Sequence, residues 1–115
     1  MIQVTVFTKK CVGTDSQYDY TGIRLQGHAG YDDSGRDIVC AAVSALAVNT
    51  ANSIEAFTGD SFQAEQDEES GFLSFSLSSP ISPESKLLLN SLVLGLQNIE
   101  EEYGRPYIHI RFKEV

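Results

Sequence analysis

Two long segments with helical periodicity interrupt a pattern of strand-like alternation in this chain of 115 residues. The spacing of apolar residues predicts helices over residues 38–57 and 83–103. Strand patterns cover residues 2–8, about 18–28, 61–65, 72–77 and 107–113. No linker or low-complexity tract divides the chain, and its length suits one domain with one core. The predicted element order is therefore ββαββαβ in a single domain, residues 1–115.

This order predicts a two-layer α/β sandwich, because two helices and five strands must bury their apolar faces against each other. Hairpins supply antiparallel neighbours, while strand–helix–strand crossovers supply parallel ones. We therefore expect a mixed five-stranded sheet with both helices on one face. Which strand lies beside which is left open.

Capping residues set the limits of the predicted helices. Asp37 is a good N-cap for the first helix, and Gly59 after Thr58 suits a left-handed C-terminal position. Ser82 followed by Pro83 starts the second helix. That helix carries leucine on more than one face, which predicts either deep burial or a partner chain. The polar turn Gly13-Thr14-Asp15-Ser16 is expected to join the first two strands.

The charge is strongly acidic, with 16 Asp and Glu against 8 Lys and Arg. Nucleic acid and anionic membranes are therefore unlikely partners, whereas a basic protein would be attracted. No stretch approaches the roughly 20 apolar residues of a membrane helix, and the first residues alternate like a strand rather than a signal peptide. We expect a cytoplasmic protein. The candidate attracting groups are Glu65, Asp67, Glu68, Glu69, Glu100, Glu101 and Glu102, although such runs also occur as plain solvated surface.

His28 and Cys40 lie at opposite ends of a short segment bounded by glycines. Cys40 falls in the first turn of the first predicted helix, where free N–H groups and the helix dipole favour a thiolate. An adjacent imidazole could take the proton of that thiol. The pair indicates a cysteine-dependent hydrolase, with first-turn amides free to bind an oxyanion. The alternative is that Cys40 is only a small core residue.

Neighbouring residues suggest supporting roles. Asp37 could cap the helix, orient His28, or do both, with capping favoured. Ser44, one turn after Cys40, could donate a hydrogen bond or simply pack. The polar loop between the two candidate residues could close over substrate or be a plain connector. Its members are Tyr31, Asp32, Asp33, Ser34, Gly35 and Arg36.

Metal chemistry is not indicated by the sequence. His28, Asp32, Asp33 and Cys40 are suitable ligand types, but no pair has the tight spacing of a zinc motif. Cys11 lies 29 positions from Cys40, which predicts two free thiols in a reducing compartment. Cys11 and His109 have no catalytic setting. We expect neither a metal nor another cofactor.

The motif Gly27-His28-Ala29-Gly30-Tyr31, followed by Gly35-Arg36-Asp37-Ile38-Val39-Cys40-Ala41-Ala42-Val43-Ser44, resembles the ribosomal-processing cysteine protease family, Prp. The resemblance extends over nearly the whole chain. It implies catalysis by Cys40 and His28, with Asp37 and Ser44 as the family's flanking acid and serine. It further implies a homodimeric cytoplasmic endopeptidase that removes a short N-terminal extension from large-subunit ribosomal protein L-twenty-seven, after a hydrophobic, aromatic-containing segment.

Two other functions remain open from the residues alone. A non-catalytic ribosome-assembly module could use the same fold and acidic surface, and it would tolerate loss of Cys40. A thiol-dependent transferase or non-peptide hydrolase would need the Cys–His pair without a peptide groove. Cleavage of an extended ribosomal protein would separate these alternatives.

Overall fold

The computed structural model describes residues 1–11, 18–33, 36–78 and 80–115, and it confirms the predicted fold class. The elements are β1 (Ile2–Lys10), β2 (Tyr18–Gln26), α1 (Ile38–Phe57), β3 (Phe62–Asp67), β4 (Phe72–Leu77), α2 (Pro83–Tyr103) and β5 (Ile108–Glu114). The predicted turn Gly13-Thr14-Asp15-Ser16 lies outside the described residues.

The five strands form one mixed sheet in the order β3-β4-β2-β1-β5. β1 runs parallel to β5, with Ile2 opposite Ile108, whereas the other three neighbouring pairs are antiparallel. The hairpin β3–β4 lies beside β2, so the turn that joins β3 to β4 reaches the end of β2. This placement brings the turn to the segment that contains His28.

Both helices cover one face of the sheet, as expected. The core residues on the sheet come from alternate positions of the inner strands, such as Val4, Val6, Ile23 and Phe75. The helices contribute one buried stripe each, formed by Val39, Val43, Ala47 and Ile54 of α1 and by Leu89, Leu92, Val93 and Leu96 of α2. This single core fixes the first turn of α1 above the ends of β1 and β2.

The capping predictions are confirmed at both helix starts. The Asp37 side chain accepts hydrogen bonds from the N–H groups of Val39 and Cys40, and Ser82 accepts from Ser85. The predicted end of α1 at residue 57 is confirmed, but the left-handed conformation predicted for Gly59 is wrong. Thr58 is the C-cap in an extended conformation, and Gly59 has no positive φ, because the Thr58 N–H and hydroxyl both donate to the Ile54 carbonyl.

In the last strand the alternation of Ile108, Ile110 and Phe112 predicts that all three face inward, and the structure departs from this pattern at the far end. Ile108 is fully buried, but Phe112 is 49% exposed. Its ring stacks on Tyr20 with centroids 6.0 Å apart, beyond the reach of the helices. The apolar alternation predicted the face correctly, but the helical layer does not extend over this corner of the sheet.

α1 is long and apolar enough to cross a membrane by length and composition alone, contrary to the expectation that no stretch approaches this limit. Alanines account for much of this apolar character, since four of them lie in its first half. The core helix of a globular protein passes the same test. In this structure one stripe of α1 packs into the core, including Val43 and Ala47.

Candidate active site

Cys40 is the third residue of α1 and is partly buried where the helix meets the end of β2. Its Sγ accepts a hydrogen bond from the backbone N–H of Ala29 at 3.1 Å. Ala29 is itself 2% exposed, so this amide is held in place by the core. The predicted location in the first turn of a helix is therefore confirmed, and a fixed N–H group points at the sulfur.

Asp37 acts as a backbone clamp in this structure. One carboxylate oxygen accepts from the N–H groups of Val39 and Cys40, both at 3.0 Å, and the other accepts from the Tyr31 N–H at 3.0 Å. Within the described ranges it makes no bond to His28. The capping role is thus observed, whereas the orienting role has no contact to support it.

The same bonds correct the expectation that the first-turn amides are free for an oxyanion. The Val39 and Cys40 N–H groups are occupied by Asp37, and the Ala41 N–H donates to the Asp37 carbonyl. The amide aimed at the thiol instead belongs to Ala29. The backbone N–H beside the sulfur therefore belongs to the segment after β2.

Electrostatics at Cys40 also differ from the stabilised thiolate that the helix dipole predicts. Burial raises the pKa of Cys40 above its ordinary value of 9.0, and the Asp37 carboxylate raises it further. The Ala29 hydrogen bond lowers the pKa but does not outweigh them. For Asp37, burial raises the pKa, but hydrogen bonds from Cys40 and Tyr31 leave it lowered. The surroundings of Cys40 therefore favour the thiol over the thiolate.

His28 lies two residues beyond β2 and is exposed. Its Nε2 is 3.2 Å from the backbone carbonyl oxygen of Glu69, in the turn between β3 and β4. Among the residues that the structure describes, its ring makes no hydrogen bond with Cys40. The sequence predicts Glu69 only as one of the acidic groups that could attract a basic partner. Its contact with His28 could not be predicted, since any residue type can supply a main-chain carbonyl.

One groove joins the two predicted catalytic residues. It has a volume of about 350 Å³ and lies between α1 and the β3–β4 hairpin. Its lining is Ile2, Leu25, Gly27, His28, Cys40, Val43, Ser44, Ala45, Val48, Gln66, Asp67, Glu68, Gly71, Phe72 and Leu73. The groove is apolar along its floor and acidic at the hairpin, where Asp67 and Glu68 lie.

A second cavity of about 410 Å³ opens on the other side of the pair and includes Gly30, Asp32, Asp37 and Ala41. His28, Cys40 and Ser44 line both cavities. Ser44 is exposed one helical turn after Cys40, as predicted. The predicted residues thus line two adjoining cavities, both of which include Cys40.

The predicted loop begins at an aromatic anchor. Tyr31 makes edge-to-face contacts with Tyr103 and Tyr107, with ring centroids 5.5 Å and 5.1 Å apart. The exposed remainder includes Asp32, Asp33 and Arg36, while Ser34 and Gly35 lie outside the described residues. The loop is therefore tied to the end of α2 on one side and to α1 on the other.

The remaining polar candidates lie elsewhere. Cys11 is a free thiol whose pKa is raised by burial and by Asp19, and His109 faces Glu100, with Nδ1 3.8 Å from the carboxylate. In the described part of the chain, no group of three or more His, Cys, Asp or Glu side chains is arranged to hold a metal ion.

A cysteine at a helix start and a histidine opening into the same cleft are the parts of a thiol-dependent hydrolase. The family profile described as Cysteine protease Prp matches residues 1–109, and this chain belongs to that family. It is a cysteine peptidase. The ribosomal processing cysteine protease Prp of Staphylococcus aureus is 32% identical over 93 residues, covering 81% of this chain and 87% of the relative. Its Bacillus subtilis counterpart is 28% identical over 83 residues, covering 69% and 74%.

Solved structures agree with this membership. The S. aureus Prp protease in complex with a covalently linked product peptide has a TM-score of 0.85 at 29% identity, covering 98% of this chain and 100% of that one. The same protease in complex with a substrate peptide gives a TM-score of 0.80 at 27% identity, with the same coverage. A Streptococcus mutans protein gives 0.81 at 28% identity, covering 100% and 96%.

Proposed function

We propose that this protease removes the short N-terminal extension of large-subunit ribosomal protein L-twenty-seven, with Cys40 as nucleophile and His28 as general base and acid. The carrying observation is that Cys40 and His28 open into one cleft with an apolar floor. Relatives named for ribosomal processing, and a relative solved with a substrate peptide, support a peptide of this origin.

In the proposed reaction, the sulfur of Cys40 attacks the scissile carbonyl while His28 accepts the thiol proton. The carbonyl oxygen becomes an oxyanion, and the Ala29 N–H that points at the sulfur is placed to stabilise it. The C–N bond then breaks, the amine leaves with the proton from His28, and a thioester remains on Cys40. Water, deprotonated by His28, hydrolyses that thioester and restores the thiol.

The raised pKa of Cys40 gives His28 a necessary role in this scheme. A cysteine kept as a thiol by burial and by Asp37 reacts slowly unless a base removes its proton. The imidazole at the cleft is the base in reach of an incoming substrate. Transfer of the Cys40 proton to His28 is thereby coupled to the binding of substrate.

The cleft suits a peptide with an aromatic segment followed by basic residues. Val43 and Val48 of α1 face Phe72 and Leu73 of β4 across the groove, and this apolar surface can bury aromatic side chains. Acidic Asp67 and Glu68 border the same groove. Complementary charge speeds the encounter with a basic protein, and such steering weakens as salt rises.

The loop formed by Tyr31, Asp32, Asp33, Ser34, Gly35 and Arg36 is proposed to close over the bound peptide. It connects the His28 segment to the start of α1, and its described residue Asp32 lines the second cavity. Closure that depends on substrate contacts limits cleavage of other proteins. We place this activity in the cytoplasm, where ribosomal proteins are made, and in a homodimer.

The decisive experiment incubates the purified protein with the N-terminally extended ribosomal protein under reducing conditions and maps the products by mass spectrometry. We expect one cut within the extension, after the aromatic segment. A substrate whose aromatic residues are replaced by serine is expected to stay intact, and raising the salt concentration should slow cleavage. An intact natural substrate, or an unchanged rate on the serine version, would contradict the proposal.

A further inference from the structure

The geometry points to the backbone carbonyl of Glu69 as the group that positions His28 for catalysis. This inference rests on the proposed role of His28 as general base. Cysteine and serine hydrolases need a third group that fixes the tautomer and orientation of the imidazole. Here that group is main chain, supplied by the turn between β3 and β4, and among the described residues no acidic side chain bonds to the imidazole.

The contacts of His28 and Asp37 support this assignment together. The His28 Nε2 lies 3.2 Å from the Glu69 oxygen, at hydrogen-bond distance. Asp37 is the acid that the sequence suggested for this task. Its two carboxylate oxygens instead accept hydrogen bonds from the N–H groups of Tyr31, Val39 and Cys40. The acid therefore holds the backbone around Cys40, and the turn holds the imidazole.

A carbonyl oxygen can only accept, so the hydrogen bond requires a proton on Nε2. In neutral His28 the other nitrogen, Nδ1, then carries the lone pair. Nδ1 is therefore the atom that accepts the proton of Cys40. The Nε2–H bond persists when the ring becomes an imidazolium, and it is stronger in that state because its donor is charged.

The turn that carries Glu69 is held against the His28 segment by Gly71. The Gly71 carbonyl accepts from the Gly27 N–H at 3.1 Å, and its φ of +69° is a conformation that side chains rarely adopt. A Cβ at Gly71 would lie 2.5 Å from the Gly27 carbonyl oxygen and 3.0 Å from His28 Cε1. Only glycine lets the turn approach closely enough for Glu69 to reach the imidazole.

The turn is also braced from within. The Asp67 carboxylate accepts from the Glu69 N–H at 3.1 Å, and the Gly71 N–H donates to the Glu68 carbonyl at 3.3 Å. These bonds fix the direction of the Glu69 peptide unit. Its own side chain is exposed and is not used in the contact with His28. The positioning role therefore belongs to the conformation of this turn.

Nitrogen-15 NMR of the wild-type enzyme tests the inference, because it reports which ring nitrogen of His28 carries the proton. The chain has 2 histidines, so the ring signals that remain in a His109→Gln variant belong to His28. We expect neutral His28 to be protonated at Nε2, with Nδ1 showing the shift of an unprotonated nitrogen. Glu69→Gln, which keeps the carbonyl, is expected to leave this tautomer unchanged. A His28 ring protonated mainly at Nδ1 would overturn the inference.

Kinetics of Gly71→Ala provide the second test. Displacing the turn misplaces the imidazole, and an error of about 1 Å can cost roughly 100-fold in rate. We expect that loss in kcat with little change in KM, together with loss of the Nε2-protonated tautomer. Gly104→Ala is the matched control, because Gly104 also has positive φ, at +93°, but its Cβ would meet only Pro106 at an ordinary 3.6 Å.

The outcomes separate this inference from the proposed function. Circular dichroism shows whether Gly71→Ala is folded. If it is folded and keeps the wild-type kcat, the Glu69 carbonyl has no positioning role, although the proposed dyad of Cys40 and His28 is unaffected. If His28→Ala cleaves normally, the proposed dyad fails, whatever the tautomer. If kcat falls equally in Gly71→Ala and Gly104→Ala, backbone strain explains the loss and the inference is overturned.

Discussion

The backbone N–H of Ala29 donates to the Sγ of Cys40 at 3.1 Å, across a gap of 11 positions in the chain. This bond joins the segment after β2 to the start of α1. The residue that carries the amide directly follows the candidate base, His28. Any shift of that segment therefore moves the imidazole and the amide together, relative to the sulfur.

Substitution of either proposed catalytic residue is expected to abolish cleavage. Cys40→Ala removes the nucleophile and His28→Ala removes the base, so each should lower kcat by at least about 10⁴-fold. The rate of release of the N-terminal extension, followed by mass spectrometry, measures this loss. Cys11→Ser is the matched control, since Cys11 lies outside the cleft, and it should retain the wild-type rate. A near wild-type rate for Cys40→Ala would refute the nucleophile assignment.

The ionisation of Cys40 should respond to Asp37. Burial and the Asp37 carboxylate both raise the pKa of this thiol, so replacing the carboxylate with a neutral amide in Asp37→Asn should lower it. The pH profile of Cys40 alkylation by iodoacetamide should therefore move to lower pH, while Cys11 serves as an internal control. An unmoved profile for Cys40 would show that the carboxylate has no electrostatic effect on the sulfur.

Asp37 should also stabilise the fold in a pH-dependent manner. Asp37→Ala removes the N-cap of α1 and should cost about 1 kcal/mol of the free energy of unfolding in urea. Because the pKa of Asp37 is lowered from 3.8 in the folded protein, its contribution is complete above that value and is lost as the pH falls through the lower, folded pKa. The difference between wild type and variant should thus shrink in acid. A constant difference would contradict this account.

Closure of the proposed loop should depend on its aromatic anchor. Tyr31→Ala removes the packing against Tyr103 and Tyr107, so the loop should hold a bound peptide less well. We expect a larger loss in peptide cleavage than in alkylation of Cys40 by a small reagent, since only the peptide needs the loop. Parallel assays of the two reactions measure this contrast. Equal losses would indicate a local folding defect.

The exposed leucines of α2 should mediate dimerisation. Leu87 is 70% exposed and Leu94 is 60% exposed, and their spacing of seven residues places them on one side of the helix. Light scattering should give twice the chain mass of 12.6 kDa, and a Leu87→Glu/Leu94→Glu variant should give the single mass. Leu88→Ala is not a suitable control, because Leu88 packs on the core. A wild-type mass near 12.6 kDa would exclude the dimer.

The sequence was most informative where one residue determines a local structure. Asp37 and Ser82 each cap a helix with their own side chains, so the starts of α1 and α2 could be predicted to the residue. Strand order could not, because it depends on contacts between distant segments, such as β1 with β5. Phe112 follows the alternation correctly but lies where no helix covers it.

Within the site, the positions of His28 and Cys40 were predictable, but their surroundings were not. Asp37 caps α1 as predicted, yet its carboxylate occupies first-turn amides that were expected to be free and raises the pKa of the Cys40 thiol. The contact between His28 and Glu69 involves a main-chain oxygen, which has no signature in the sequence. A glycine at position 71 is typical of a tight turn, but it does not indicate that the turn lies against His28.

The pairing of β1 with β5 governs when this fold can form during synthesis. Ile2 and Ile108 lie side by side, so one edge of β1 stays unpaired until β5 has been translated. Contacts between such distant segments slow folding and leave partly made sheets exposed. The cleft borders both β1 and β2. In a nascent chain without β5, the cleft therefore lies on a sheet in which β1 lacks one of its neighbours. We therefore expect proteolytic activity to arise only after β5 has been synthesised.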